Sequence, residues 1–192
     1  MSVLPIRQLG DPVLRQVAQE LTPDQLASAE VQGLIDEMIE TMRYANGAGL
    51  AAPQVGVLLK VAVIEVREGN PRYPYKPPIP LTVIVNPKLE PVDFAAFDTN
   101  EGCLSIPNLR GDLRRFETVR VSYLDRDGEA HDEVRRGLTA GTFQHEIDHL
   151  EGRLFIDRMA DMSSLSTWDQ FERFGKDAFV ERVTRLVERV GS

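Results

Sequence analysis

His145-Glu146-Ile147-Asp148-His149 combines two imidazoles and a carboxylate at a spacing suited to metal chemistry. On a helix, residues i and i+4 share a face about one turn apart, so both rings can reach one ion. Glu146 sits on the same turn, where a carboxylate can take a proton from a water at that ion. The chain holds three histidines, and two of them lie in this motif. A surface helix with scattered polar residues is the alternative, but it gives no reason for that concentration.

Two histidines do not complete such a centre. A catalytic zinc-type site has three protein ligands and one position left for water. A metzincin-like site would take a third His six residues after the second. Gly152 fits that pattern, but Phe155 stands at the ligand position. A thermolysin-like site would take a Glu from a later helix, and Glu172 lies at a suitable separation. A third option is upstream. The single cysteine, Cys103, follows a glycine in Glu101-Gly102-Cys103-Leu104-Ser105, among strand-like neighbours. A lone cysteine is most often a small buried hydrophobe, yet a thiolate is a strong ligand for zinc and ferrous iron. These residues alone leave Glu172 and Cys103 both open.

A third segment, Gly47-Ala48-Gly49-Leu50-Ala51-Ala52-Pro53-Gln54, follows a helical stretch. Taken singly it reads as a helix end and a tight turn. With Glu101 to Ser105 and with Gln144 to Gly152, in this order, it resembles the peptide deformylase family. The opening run Leu9 to Arg15 also looks like that family's N-terminus, and the resemblance spans roughly residues 5 to 160. It implies Cys103, His145 and His149 as ligands of one divalent ion, Fe²⁺ in the cell, with Zn²⁺, Ni²⁺ or Co²⁺ also accepted by such donors. It implies a metal-dependent hydrolase that removes the formyl group from N-formylmethionyl nascent peptides. Glu146 would move the proton, while the Gln54 amide and the Leu104 backbone N–H hold the charge developing on the formyl oxygen. Ala48, Gly49 and Gly102 are the matched backbone positions for an extended peptide, with Arg110 a further candidate. Glu101 would pair with Arg115 and orient the Cys103 segment. Asp148 would either orient a ligand histidine or face solvent, and His131 reads as a surface residue. The methionine side chain would enter an apolar pocket beside the second motif histidine. Thr99, Gly141 and Thr142 depart from the family there, standing where bulkier apolar residues often occur.

The elements that must position these residues follow from periodicity and turn chemistry. Asp24 to Tyr44 reads as a helix, with Leu34, Ile35, Met38, Ile39 and Met42 at helical spacing and Asn46-Gly47 as a stop. Val55 to Val66 reads as strand, turn, strand. Glu68 to Pro80 contains five prolines and Tyr73 and Tyr75, which excludes a regular helix or central strand and marks a loop. Leu81 to Val85 is strand-like. Thr118 to Leu124 and Ala130 to Arg135 form a hairpin around Asp125-Arg126-Asp127-Gly128. Leu138 to Leu150 is the motif helix. Thr167 to Val190 reads as one long helix with Trp168, Phe171, Phe174, Phe179, Val183, Leu186 and Val187 on its apolar side. The expected fold is α+β, with mostly antiparallel strands around the central motif helix, an N-terminal helix and a long C-terminal helix. One domain is expected, with a core over about 5–160 and a helical extension over about 163–190.

At 192 residues the chain can bury a core without staples, and one cysteine excludes an internal disulfide. The start lacks the apolar run of a secretion signal, and no stretch of about 20 apolar residues occurs, so a cytoplasmic protein with no membrane partner is expected. The formal net charge of −8 argues against DNA and broad nucleic-acid binding. Transient contact with the ribosome is the one such partner the resemblance suggests. Arg110, Arg114, Arg115, Arg120, Arg135 and Arg136 read as solvated strand faces.

Overall fold

The computed structural model describes residues 2–70 and 75–192. Tyr73 of the proline-rich loop lies outside the described residues. The N-terminal helical stretch is two helices: α1 (Pro23–Leu26) and α2 (Ala29–Tyr44). Ser28 divides them, because its hydroxyl accepts from Val31 N and caps α2. On α2, Ile35, Met38 and Met42 are fully buried at spacings of three and four, as an apolar stripe requires.

The chain then enters a short strand, β1 (Gly49–Ala51), and a 3-10 turn over Ala52–Val55. The strand expected to begin at Val55 does not form: Val55 ends this turn, Gly56 follows in the left-handed region, and the strand starts only at Val61. Next come β2 (Val61–Val66), β3 (Ile79–Pro91), β4 (Ala96–Cys103), β5 (Ile106–Phe116), β6 (Thr118–Leu124) and β7 (Ala130–Arg136). One sheet has five strands in the order β1-β2-β3-β6-β7, with neighbours antiparallel. The second pairs β4, β5 and a two-residue strand β8 (Ser166–Thr167), again antiparallel. In the β6–β7 hairpin, Asp125 Oδ1 accepts from the N–H groups of Asp127 and Glu129, which closes the turn.

The motif lies on α3 (Gly137–Leu150), which packs against β1, β2, β5 and a C-terminal helix. Covered on several sides, α3 buries most of its residues and has no polar stripe. Gly152 ends it with φ +70°, and a Cβ there would stand 2.8 Å from the Arg15 carbonyl. The C-terminal segment is not one helix but α4 (Trp168–Phe174) and α5 (Lys176–Val190), joined at Gly175. Phe171, Phe179, Val183 and Leu186 are buried against Phe97 and Leu138, whereas Phe174 is 72% exposed, off the expected apolar side. The architecture is α+β, with antiparallel sheets around a central helix. No helix among the described residues is long and apolar enough to cross a membrane.

Candidate metal centre and active site

Helical geometry sets the first part of the site. His145 and His149 sit one turn apart on α3, with their Nε2 atoms 3.3 Å from each other. The second part comes from the end of β4, where Cys103 Sγ lies 3.3 Å from His149 Nε2. Among the described residues, Cys103, His145 and His149 are the one group of three with ligand atoms gathered closely, all within 4.8 Å of one another. Bonds of roughly 2.0–2.1 Å to nitrogen and 2.3 Å to sulfur around a tetrahedral ion require edges of about 3.3 Å and 3.6 Å. The donor set and its spacing therefore fit a divalent ion. Glu172 does not join it: on α4 its carboxylate is exposed and paired with Lys176 at 3.0 Å. The thermolysin-like alternative is corrected on that ground.

Behind the ligands runs a buried ionic chain. Glu101 Oε2 is 2.7 Å from His145 Nδ1, and both Glu101 oxygens accept from Arg115. Arg115 Nη1 donates to Asp148 at 2.6 Å, and Asp148 also accepts from Arg158. Asp148 thus neither faces solvent nor touches a ligand histidine; it anchors Arg115. Burial opposes charge on Glu101, but Arg115 and His145 outweigh it and hold the carboxyl far below its usual range. Burial likewise acts against charge on His145, and the Cys103 and Glu101 hydrogen bonds reverse that, raising its pKa. Burial and the nearby charge of His145 lower the pKa of His149. An acceptor on Nδ1 fixes the ring of His145 and leaves Nε2 facing the centre.

Glu146 lies beside this centre. Burial pushes its carboxyl up to about 7. Its Oε2 is buried and has no hydrogen-bond partner among the described residues. The backbone at Gly49 packs so closely that a Cβ there would stand 2.3 Å from Glu146 Oε1. Gly49→Ala should therefore displace the carboxylate and lower kcat by about 100-fold, since a shift of about 1 Å can cost that much. Wild-type rates from the variant would show that Glu146 does not need this position.

Gln54 does two things. Its Oε1 accepts from Ala51 N at 2.8 Å and closes the turn, and its Nε2 donates to Ser105 Oγ at 3.1 Å while lying 3.5 Å from Cys103 Sγ. The amide is held at the centre by its own turn. Ala48, Gly49, Gly102 and Leu104 line the cleft. β1 and β4 are each an edge strand, so the cleft has unpaired backbone on two sides. The same cleft is lined by His145 and not by the second motif histidine, and Thr99, Gly141 and Thr142 are in its wall.

Two arginines overturn the solvated-face reading. Arg115 is buried in the ionic chain, and Arg110 is fully buried. Arg110 donates to Asn100 and to the Tyr75 hydroxyl, and its guanidinium stacks on Trp168 and Phe171 at 4.0 and 4.2 Å. It is not among the residues lining the cleft. His131 pairs with Asp125 and stacks on Tyr123, away from the centre. Sequence reasoning does not single out Phe179 as a site residue and places Tyr75 and Lys76 only in a loop able to contact substrate; all three line the cleft. No local pattern marks them, because they arrive from a loop and a distant helix.

The fold, with a site that gathers one cysteine sulfur and two imidazoles, is that of a metal-dependent hydrolase. The polypeptide deformylase family matches residues 3–164, and the chain belongs to it. The family removes the N-formyl group from newly made polypeptides. A peptide deformylase of Leptospira biflexa is 38% identical over 176 residues, covering 92% of this chain and 98% of its own length. Peptide deformylase 1 of Bordetella pertussis is 42% identical over 158 residues, covering 82% of this chain and 88% of its own. Among solved structures, the Met-Ala-Ser-bound class I type b enzyme of Acinetobacter baumannii is similar, with a TM-score of 0.79, 39% identity, and coverage of 82% of this chain and 99% of its own. The Synechococcus elongatus enzyme in complex with actinonin has a TM-score of 0.73 at 34% identity and covers 98% of this chain and 86% of its own.

Proposed function

We propose that Cys103, His145 and His149 hold one divalent ion, Fe²⁺ in the cell, and that the cleft beside it binds N-formylmethionyl peptides. The observation that carries this reading is the convergence of Sγ and two Nε2 atoms next to a buried carboxylate oxygen with no partner among the described residues. An ion held by these three residues would supply Lewis acidity for activating water and the formyl group. Zn²⁺, Ni²⁺ and Co²⁺ suit the same donors.

The chain's own residues do the rest. The substrate backbone lies extended between the edges of β1 and β4, pairing at Ala48, Gly49 and Gly102. Water attacks the formyl carbon while Glu146 accepts its proton. Negative charge gathers on the formyl oxygen, where Gln54 Nε2 and the Leu104 N–H donate to it. The C–N bond then breaks as Glu146 passes the proton to the departing nitrogen, leaving formate and a free amine. Glu101 and Arg115 position His145 and the Cys103 strand. Arg110 acts on the substrate only through the wall it supports, because Trp168 and Phe171 cover it. The enzyme works in the cytoplasm, meeting its peptides in transient contact with the ribosome.

Anaerobic protein loaded with Fe²⁺ should release formate from formyl-Met-Ala-Ser at many turnovers per site. Folded, metal-loaded protein that releases none would overturn this reading.

A further inference from the structure

The cleft extends away from the gathered ligands along one face of α3. Leu138, Gly141, Thr142 and His145 line it at spacings of three and four, so it runs about 10 Å from His145 toward the start of that helix. A Cβ at Gly141 would stand 3.2 Å from Phe97 Cζ, so the Phe97 ring lies against α3 and closes one side. At the far end Phe97 of β4, Leu138 of α3 and Phe179 of α5 meet in one buried apolar cluster. An apolar side chain reaching that end leaves water for apolar surroundings, which favours its binding.

Phe179 belongs to a helix beyond residue 164, where the family match ends. Its ring packs edge-on with those of Tyr75 and Phe171, at centroid distances of 5.0 and 5.7 Å. A buried ring held on two sides cannot swing away without strain, so a side chain that reaches it has to end there. Val183 and Leu186 are buried in the same cluster from the same helix, but neither lines the cleft. They dock α5, while Phe179 meets the cleft. We propose that Phe179 is the end wall of the cleft and limits the formylated residue to an apolar side chain no longer than that of methionine, which makes α5 a specificity-determining element. The proposal rests on the reading of this cleft as the seat of the formylated residue.

The test compares kcat/KM for formate release from formyl-norleucyl-Ala-Ser, whose side chain matches methionine in length, and formyl-(2-aminooctanoyl)-Ala-Ser, which is two methylenes longer. The full metal-loaded chain is used throughout. Wild type should prefer norleucine by about 100-fold, since one methylene in a closed pocket is worth about tenfold or more. Phe179→Ala should bring that ratio to about one, because the space of the lost ring takes up the longer chain. Phe179→Leu keeps an aliphatic side chain in the cluster; it should give an intermediate ratio of about tenfold, and it carries the test if the alanine variant fails to fold. Val183→Ala loosens the same helix away from the cleft and should keep the wild-type ratio. A wild type that takes both peptides equally, a ratio unmoved by the Phe179 variants that fold, or an equal fall in Val183→Ala would overturn the end-wall proposal while leaving deformylation intact. Absence of formate from both peptides and from formyl-Met-Ala-Ser with loaded wild type would overturn the site reading itself, and the proposal with it.

Discussion

Glu146→Gln should lower kcat/KM for formate release by about 10²–10⁴-fold, the range that a positioned proton carrier contributes. The substitution keeps the side chain's shape but removes its ability to accept a proton. Metal content should not change, because Glu146 is not among the three gathered ligands. Stability should hold or rise. Burial holds the Glu146 carboxyl up at about 7, so the folded chain already resists its ionisation, and an amide removes that conflict. The decisive comparison is single-turnover formate release beside metal analysis on the same samples. Activity within a factor of about ten of wild type, with metal bound, would remove Glu146 from the proton path.

Cys103→Ala should abolish metal retention, and with it turnover. Two imidazoles on one helix turn remain, which is one short of the three protein ligands of a catalytic site. Metal measured after gel filtration should fall from near one ion per chain to near zero. A ligand that binds only the folded state at about 100 times its Kd adds about 2.7 kcal/mol of stability. Chelator should accordingly lower the Tm of metal-loaded wild type and leave that of Cys103→Ala unmoved. Glu172→Ala should behave as wild type in both respects, because its carboxylate is tied to Lys176 on an exposed helix face. Retention of the ion by Cys103→Ala, with loss in Glu172→Ala, would reverse the assignment.

The parts of the fold legible in the sequence are those set by local chemistry. The β6–β7 hairpin follows from alternation around an Asp-Gly turn, and α3 follows from its length and its glycine stop. Boundaries failed where one polar residue or glycine outweighed a long apolar pattern. Ser28 split the N-terminal helix by capping α2, and Gly175 split the C-terminal one. Arg110 shows a different failure. Its neighbours Arg114 and Arg120 are exposed and paired with Asp98 and Asp132 across their strands. Nothing within five residues of Arg110 foretells that Trp168 and Phe171 will cover it.

By itself the sequence determined the chemistry on offer: two imidazoles and a carboxylate on one helix face, one thiolate, and an amide following a glycine-rich turn. Such properties depend on residue type and on separations of a few positions, which helical and turn geometry convert directly into space. Only the tertiary structure decided which distant donor meets the histidines, which arginines are buried, and that Lys76 and Phe179 close the pocket. Those outcomes depend on how sheets and helices pack over separations of tens of residues, where local spacing carries no information about distance.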